Sequence, residues 1–489
     1  MSDSLVEARL GKVEGLRREG TDPFPARVPA SERIGDVVRR HEGLAAEEHS
    51  GERVAVAGRL MARRQMGKAS FLDLRDGSGK VQVHAATDRI GEEAYGRLGD
   101  VDVGDFLHVA GEVFRTKRGE LTVAAESWTF LAKAVRPLPE KWHGLKDVEL
   151  RYRHRSLDLL ANEETRERFI RRAKMMETVR SELTSLGFLE VETPSLHPIP
   201  GGTTARPFVT HHNELGQDLY LRIALELYLK RTLIGGIDRV FEIGKCFRNE
   251  GVSTKHNPEF TMLELYQAYT DYEGMMQLAE SLVAAVFQAT VGSLVVDYQG
   301  TALDFTPPWR RVAMLDAIAE TSGLELGTRT APEILAAAKA KGIGLPNLAR
   351  AQLIEHLFDR FVEPALVQPT FVTDYPVEIS PLAKRRADAP HLAERFELFV
   401  MNMEIANAFS ELNDPVDQRV RFEEQERLRA AGDEEAQRID EDFLFAMEHG
   451  MPPTGGMGVG LDRLAMLLLN SASIRDVILF PALRRKDDA

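Results

Sequence analysis

At 489 residues the chain is too long for one hydrophobic core, so two or three domains are expected. Hydrophobic residues make up 43% and charged residues 28%, the balance of an ordinary soluble globular protein, while the net charge of −14 argues against a generic nucleic-acid binder. The single cysteine, Cys246, excludes an internal disulfide framework or an all-cysteine metal site within one chain and suits a reducing compartment. No run of about 18 apolar residues occurs, so no membrane-spanning helix is expected. Asp3 and Glu7 stand where a basic, apolar leader would be, so a cytoplasmic protein is expected.

Leu5, Ala8, Val13 and Leu16 recur at helical intervals among charges and predict a surface helix over residues 5–18. From Arg53 to about Ala134 the pattern becomes short alternating runs (VAVAGRL, SFLDLRDG, KVQVHAA, DFLHVAGEVF, ELTVAAE) separated by turns such as DGSGK and KRGE. Five short strands of this size predict a small closed barrel of the OB type. Alternation points Leu72, Leu74, Val81 and Val83 inward and leaves Phe71, Asp73, Arg75, Gln82 and His84 outside. Residues 53–75 also hold Arg53, Arg59, Arg63, Arg64, Lys68 and Arg75 against one acid, Asp73. An outward Phe beside Gln and Arg can stack on a base, although Phe71 packed under the N-terminal helix satisfies the same pattern.

VRPLPEKWHG (135–144) breaks the strand pattern and reads as a linker. A charged, periodic helix is expected over 161–187, then a strand FLEVETP (188–194). Long helices mixed with strands such as RVFEIGKCF and EFTMLELYQAY follow to the C-terminus. This is an α+β domain. Residues 415–449 read as a charged helical segment with a solvated face.

Three stretches concentrate chemistry. In CFRNEGVSTKHNPEFTMLELY (246–266) a strand leads to Arg248 and Glu250, a polar loop holds Lys255, His256 and Asn257, and a second strand carries Phe260, Glu264 and Tyr266 on one face. Arg and His suit phosphate oxygens, and Phe suits a flat ring. In MEIANAFSELND (403–414), Glu404 and Glu411 stand seven apart, with Asn407 and Phe409 between them. Seven residues make two helical turns, or opposite faces of a strand unless a bulge intervenes. Two such carboxylates suit Mg²⁺ or a buried ammonium. In TGGMGVGLDRLAMLLLN (454–470) a glycine-rich run precedes a helix from about Leu461, and Arg463 in its first turn opposes the helix dipole, which points to an anionic partner. Leu461 spoils a Rossmann fingerprint and no P-loop occurs, so any nucleotide chemistry uses another scaffold.

These stretches resemble, in order, the signature motifs of class II aminoacyl-tRNA synthetases: LTSLGFLEVETP (183–194) as motif 1 ending at Pro194, the FRNEG segment as motif 2 and GMGVGLDRL as motif 3. Within the class, the stretch 199–231, FRNEGVSTKHNPEFTMLELY, FSELND and SIRDVILFPALR resemble the bacterial lysyl-tRNA synthetase family, over about residues 51–486. One departure is Ala224 before Leu225 and Glu226, where the family often has Pro.

The resemblance implies an N-terminal helical extension (1–50), an OB-fold anticodon-binding domain (51–137), a linker (138–149) and a catalytic domain (150–489) built on an antiparallel sheet with flanking helices. It implies activation of L-lysine with ATP and Mg²⁺, transfer to tRNA-Lys, and a homodimer formed through motif 1. Arg248, Glu250, His256, Asn257, Phe260, Glu404 and Arg463 would hold ATP, and Arg248, Arg463 and Glu411 would carry catalysis. Gly202, Glu226, Arg248, Glu264, Tyr266, Asn407, Phe409, Glu411 and Gly458 would hold lysine, and Glu404 and Glu411 the metal. Phe71, Gln82, Glu120 and Arg63 would read the anticodon. The trio Glu226, Glu264 and Glu411 supplies the negative charge that a buried ammonium needs. An aspartyl- or asparaginyl-type enzyme, a paralogue that lysylates protein, and a synthetase-like nucleic-acid-binding module are the alternatives. The acidic trio, the barrel and the retained Arg248, Glu411 and Arg463 argue against them in turn.

Overall fold

The structure is a computed structural model that describes residues 3–138, 145–430 and 436–484. The chain divides into two compact units, 1–144 and 145–489.

In the first unit five strands close a barrel: β1 (His49–Met66), β2 (Ala69–Arg75), β3 (Lys80–Ala86), β4 (Phe106–Arg115) and β5 (Leu121–Ala132), in the order β1-β2-β3-β5-β4. Strict alternation buries Val54, Val56, Leu72, Leu74, Val81, Val83, Val109 and Val123 inside. Each such side chain contributes about 1.5–3 kcal/mol by leaving water. β1 is long enough to pair with β4 through its first half and with β2 through its second. Between them, at Leu60/Ala62, a bulge shifts the register, so Arg64 faces Phe71 while Arg63 faces Leu72. The N-terminal helix Asp3–Arg18 buries Leu16 in the barrel core, and Lys12 bonds Asp102 at 2.8 Å. Buried Lys133 holds Asp102 at 2.5 Å and Asp105 at 2.7 Å, which ties the last strand to the β4 entry. Residues 139–144 of the expected linker lie outside the described residues.

Among its described residues the second unit adds thirteen strands. In chain order they are β6 (Leu189–Glu190), β7 (Leu196–His197), β8 (Val209–His212), β9 (Gln217–Leu221), β10 (Arg239–Phe247), β11 (Glu259–Ala268), β12 (Val295–Tyr298), β13 (Thr301–Asp304), β14 (Arg310–Ala313), β15 (Thr370–Thr373), β16 (Arg395–Val400), β17 (Met403–Ser410) and β18 (Thr454–Gly460). Eight of them form one sheet, β14-β15-β16-β17-β18-β11-β10-β6, antiparallel except for the outermost pairs β14–β15 and β10–β6. A parallel pair needs a crossover. The helices Met314–Ser322, Ala331–Ala340 and Arg350–Phe361 lie between β14 and β15 in sequence and pack around Ile318, Ile334, Leu353 and Leu357.

One face of the sheet is sealed by three helices: Glu163–Ser185, Tyr272–Val291 and Leu461–Leu468. They bury Val179, Leu183, Val283, Phe287 and Leu464 against Leu263, Leu265, Ile405, Met457 and Val459. Tyr272–Val291 is long and apolar enough to cross a membrane, which differs from the expectation of no such helix, yet its apolar face is a wall of this core.

Two expectations need correction. The strand 188–194 shrinks to Leu189–Glu190. Beyond it, Glu242 takes over the backbone, accepting hydrogen bonds from Thr193 N at 3.0 Å and Thr193 Oγ1 at 2.7 Å. The charged stretch 415–449 is not simply solvated. Its helices Pro415–Ala430 and Glu441–Glu448 bury Phe422, Phe443, Leu444 and Met447 against Leu227 of the helix Glu226–Ile234. Residues 431–435 of that stretch lie outside the described residues.

Candidate active site

The uncovered face of the large sheet holds a cavity of about 330 Å³. Its floor is β18, where glycine alternates with core residues: Met457 and Val459 point into the core, Gly456, Gly458 and Gly460 toward the cavity. Register then sets side chains in two rows. One runs Glu397–Asn407–Gly458–Glu264, the other Arg395–Phe409–Gly456–Tyr266. A Cβ on Gly456 would overlap Glu411 Oε1 and stand 2.5 Å from the Tyr266 ring, so the glycine is what lets these two groups approach. Gly202 has φ +88°, and a Cβ there would stand 3.1 Å from Glu226 Cβ.

A bulge decides which carboxylates share this face. β16 pairs Leu398 with Ala406 but Phe399 with Glu404, leaving Ile405 as the extra residue. The bulge brings Glu404 onto the face of Asn407, Phe409 and Glu411, all of which line the cavity. Every residue expected to hold ATP or lysine lines it too.

At one end lie Glu226, Glu264 and Glu411, all buried. A cation of the chain already stands among them. Lys230, one turn after Glu226 and fully buried, donates to Glu226 Oε1 at 2.5 Å and contacts Glu411 Oε2. Among the described residues the hydrogen-bond donors to Glu264 are neutral, Leu225 N at 2.9 Å and Tyr266 Oη at 3.1 Å. Burial, then the charge of Glu226, pushes its carboxyl up to about 7. Burial also raises Glu226 and raises Glu411 well above the carboxylate range, against the pull of Lys230. Lys230 itself is pulled down by burial but ends raised, because Glu226 and Glu411 outweigh that cost. Burial sets the direction for the three carboxyls, and the neighbouring acids set it for Lys230.

At the other end are cations and the motif 2 loop. The Arg248 guanidinium lies 5.1 Å over the Phe260 ring, and its Nε is buried without a hydrogen-bond partner. Arg463 donates to the Glu404 carbonyl at 2.7 Å and meets His256 Nε2 at 3.0 Å. Burial and then Arg463's charge lower the His256 pKa, which keeps the ring neutral beside the guanidinium. Glu250 lines the mouth and is exposed. The Asn257 amide is already engaged, donating to Glu259 O at 2.6 Å and accepting from Ala482 N at 3.3 Å, so it shapes the loop.

Glu404 and Glu411 both line the cavity, and Lys230 contacts Glu411 Oε2 behind the wall. The acid beside Glu404 is Glu397. Burial raises Glu397 to about 7, Arg395 pulls it down and the charge of Glu404 pushes it up again. Glu397 and Arg395 escaped the sequence reading because their convergence depends on the β16–β17 register. Lys230 could have been found from its i,i+4 spacing to Glu226.

On the barrel, Phe71 is half-buried with its ring 4.9 Å from His84, and His84 is 6.4 Å from Phe114. The N-terminal helix instead makes its polar contacts with residues 99–103 and 134–136. Gln82 Oε1 accepts from Thr122 Oγ1 at 3.2 Å, and that hydroxyl also contacts the Glu120 carbonyl at 3.1 Å, so Gln82 and Glu120 share one corner. Arg63 is a correction: its guanidinium is spent on the carbonyls of Leu98 and Val101. Arg64, 3.4 Å from Asp73, is the arginine on the Phe71 face.

A sheet whose open face carries an arginine over an aromatic ring, with a second arginine entering from a glycine strand, is the frame of the class II synthetases. Residues 147–484 match the family described as tRNA synthetases class II (D, K and N), and residues 54–131 match the OB-fold nucleic acid binding domain. The chain belongs to this class II synthetase family. Its relatives narrow the group. A lysine–tRNA ligase of Pelotomaculum thermopropionicum is 52% identical, the match covering 99% of this chain and 96% of that protein. Those of Moorella thermoacetica (53%, covering 99% of each) and Syntrophomonas wolfei (53%, covering 98% and 97%) are as similar.

Proposed function

We propose that the chain is a lysine–tRNA ligase. It activates L-lysine with ATP to lysyl-adenylate, releases pyrophosphate, and transfers lysine to the 3′ end of tRNA-Lys. The observation that carries the choice of amino acid is Glu264, a buried carboxyl on the cavity wall whose donors among the described residues are neutral. A side-chain ammonium supplies the missing charge; the side chain of aspartate would add another negative one.

Arg248 receives the carboxylate of lysine and the α-phosphate, so its guanidinium neutralises charge that grows at phosphorus as the carboxylate attacks in line. Phe260 offers its face to adenine, and Arg463 with His256 holds the distal phosphates. Glu226 takes the α-amino group, with Gly202 giving it room. Asn407 and Gly458 border the substrate backbone, and Phe409 and Tyr266 line its side chain. No general base is required, since the attacking group is already ionised. Positioning and charge neutralisation carry the rate.

Glu397 and Glu404 fit Mg²⁺, because the charge of Glu404 burdens the buried Glu397 carboxyl and both line the phosphate end of the cavity. Among the described residues no group of three or more His, Cys, Asp or Glu forms a ready-made cage, so phosphate oxygens would complete the coordination. The ion would supply charge neutralisation on the polyphosphate.

The barrel reads the anticodon through Phe71, Gln82, Glu120 and Arg64. The exposed Leu186, Leu189 and Leu196, around the edge strand β6, support a homodimer through that edge. Residues 1–50, 51–137, 138–149 and 150–489 act as extension, anticodon reader, linker and catalytic domain, in a cytoplasmic enzyme. The test is ATP–pyrophosphate exchange with lysine, aspartate and asparagine. Lysine alone should support it; exchange with aspartate or asparagine in its place refutes the assignment.

A further inference from the structure

Arg395 takes no direct part in the reaction as described, yet it lines the cavity. Strand pairing sets it opposite Phe409 on β17, and its long side chain crosses to the neighbouring row, where it meets Asn407 on the diagonal. Its Nε donates to Asn407 Oδ1 at 3.1 Å. Nη1 donates to the Ile379 carbonyl at 2.6 Å and Ser380 Oγ at 3.0 Å, and Nη2 to Glu397 Oε1 at 2.6 Å. The Tyr375 ring lies 4.6 Å from the guanidinium carbon. Partners at all three nitrogens and a ring beside the group fix its plane.

The contact with Asn407 decides which way that amide turns. The two ends of a carboxamide have nearly the same shape, but one accepts and the other donates. A guanidinium has donors alone, so only Oδ1 can face it and Nδ2 is turned away from it. Among the described residues Nδ2 has no hydrogen-bond partner. Asn407 lines the cavity beside Gly458, which has no side chain to cover the amide.

We propose that Arg395 is a positioning residue for the amino-acid carboxylate, holding the Asn407 amide with its N–H donors toward the cavity and its oxygen away. The inference rests on the lysine reading above, in which Asn407 borders the substrate backbone. A carboxylate only accepts, so it is attracted by Nδ2 and repelled by Oδ1. Arg248 takes the same carboxylate from the motif 2 side, and the amide turned this way aligns the oxygen that attacks phosphorus. Arg395 does not take that carboxylate itself, since each of its nitrogens is engaged and Glu397 matches its charge. Without Arg395 the amide is free to turn, and Oδ1 can face the substrate.

The test compares lysine with cadaverine, which keeps both ammonium groups and lacks the carboxylate, in the exchange assay. Arg395→Met removes the donors and keeps much of the bulk. It should lower kcat/KM for lysine about tenfold or more, the worth of one hydrogen bond to a charged group. The inhibition constant of cadaverine against lysine should stay within about twofold, because cadaverine makes no use of the amide. KM for ATP should stay within about twofold as well. Cadaverine weakened as much as lysine would mean a damaged pocket, and a matching rise in KM for ATP would trace the loss to Glu397. Either result overturns the proposal, and so do unchanged lysine kinetics. Should Arg395→Met not fold, Arg395→Gln replaces it. Its amide can offer Asn407 a donor or an acceptor, so lysine kcat/KM should fall about threefold or more with cadaverine unmoved. Any other pattern in that variant refutes the proposal. Failure of the lysine reading is separately visible, since the wild-type protein would then show no lysine-dependent exchange.

Discussion

The cavity and the barrel face solve the same problem at opposite ends of the dielectric scale. In the cavity, Glu264 and Glu411 are nearly or fully buried, and each is judged by whether a cation or donor meets it. On the barrel, Phe71, Gln82 and Arg64 are half-buried or exposed. A β-bulge decides the functional face in both. At Ile405 it turns Glu404 toward Asn407 and Glu411; before Ala62 it turns Arg64 toward Phe71 and Arg63 away. The lesson is that errors at the two places differ in cost. A lost partner in the cavity leaves a buried charge, whereas a lost contact on the barrel is partly replaced by water.

That contrast predicts a graded set of effects. The largest is Arg248→Ala, which should reduce lysine-dependent exchange by about a thousandfold or more while circular dichroism and melting stay near wild type. Retained exchange would show that the cavity does not depend on this guanidinium. Glu264→Gln should follow, with KM for lysine up about a hundredfold and KM for ATP little changed. A matched rise in both would mean general disruption. On the barrel, Phe71→Ala should weaken tRNA charging by about tenfold, the worth of one stacked base, and leave exchange intact. Equal losses in both assays would break the division between the regions. Smallest is the arginine pair. Arg64→Ala should cost charging a few-fold, more at low salt, whereas Arg63→Ala should lower the melting temperature with little effect on charging. The reverse would place the bulge wrongly.

Much of this arrangement was legible from residues alone. Alternation gave the inward Leu72, Leu74, Val81 and Val83, because a barrel strand buries one face at fixed period. The motif 2 hairpin showed where charged groups gather at one mouth, and the glycine run marked the entry to the helix that carries Arg463. What stayed hidden depends on long-range register and on counting charge. Arg64 and Glu404 required two bulges, Glu397 required the β16–β17 pairing, and the Lys230–Glu411 contact required the helix Glu226–Ile234 to dock beside the end of β17. The misread segment 415–449 has the same cause. Its many charges conceal a narrow apolar stripe, Phe422, Phe443, Leu444 and Met447, that only tertiary packing reveals.

Lysine recognition at this site depends on a buried carboxylate that must ionise to receive an ammonium, and the KM for lysine as a function of pH tests this directly. Burial holds the Glu264 carboxyl near 7 in the ligand-free cavity, so its ionised form is lost as pH falls through that value. KM for lysine in the wild-type protein should rise about tenfold from pH 8 to pH 6. In Glu264→Gln the profile should flatten over the same interval, with KM for ATP tracking neither change. A wild-type KM independent of pH across that range, or the same slope in Glu264→Gln, would contradict the assignment of lysine recognition to this carboxylate.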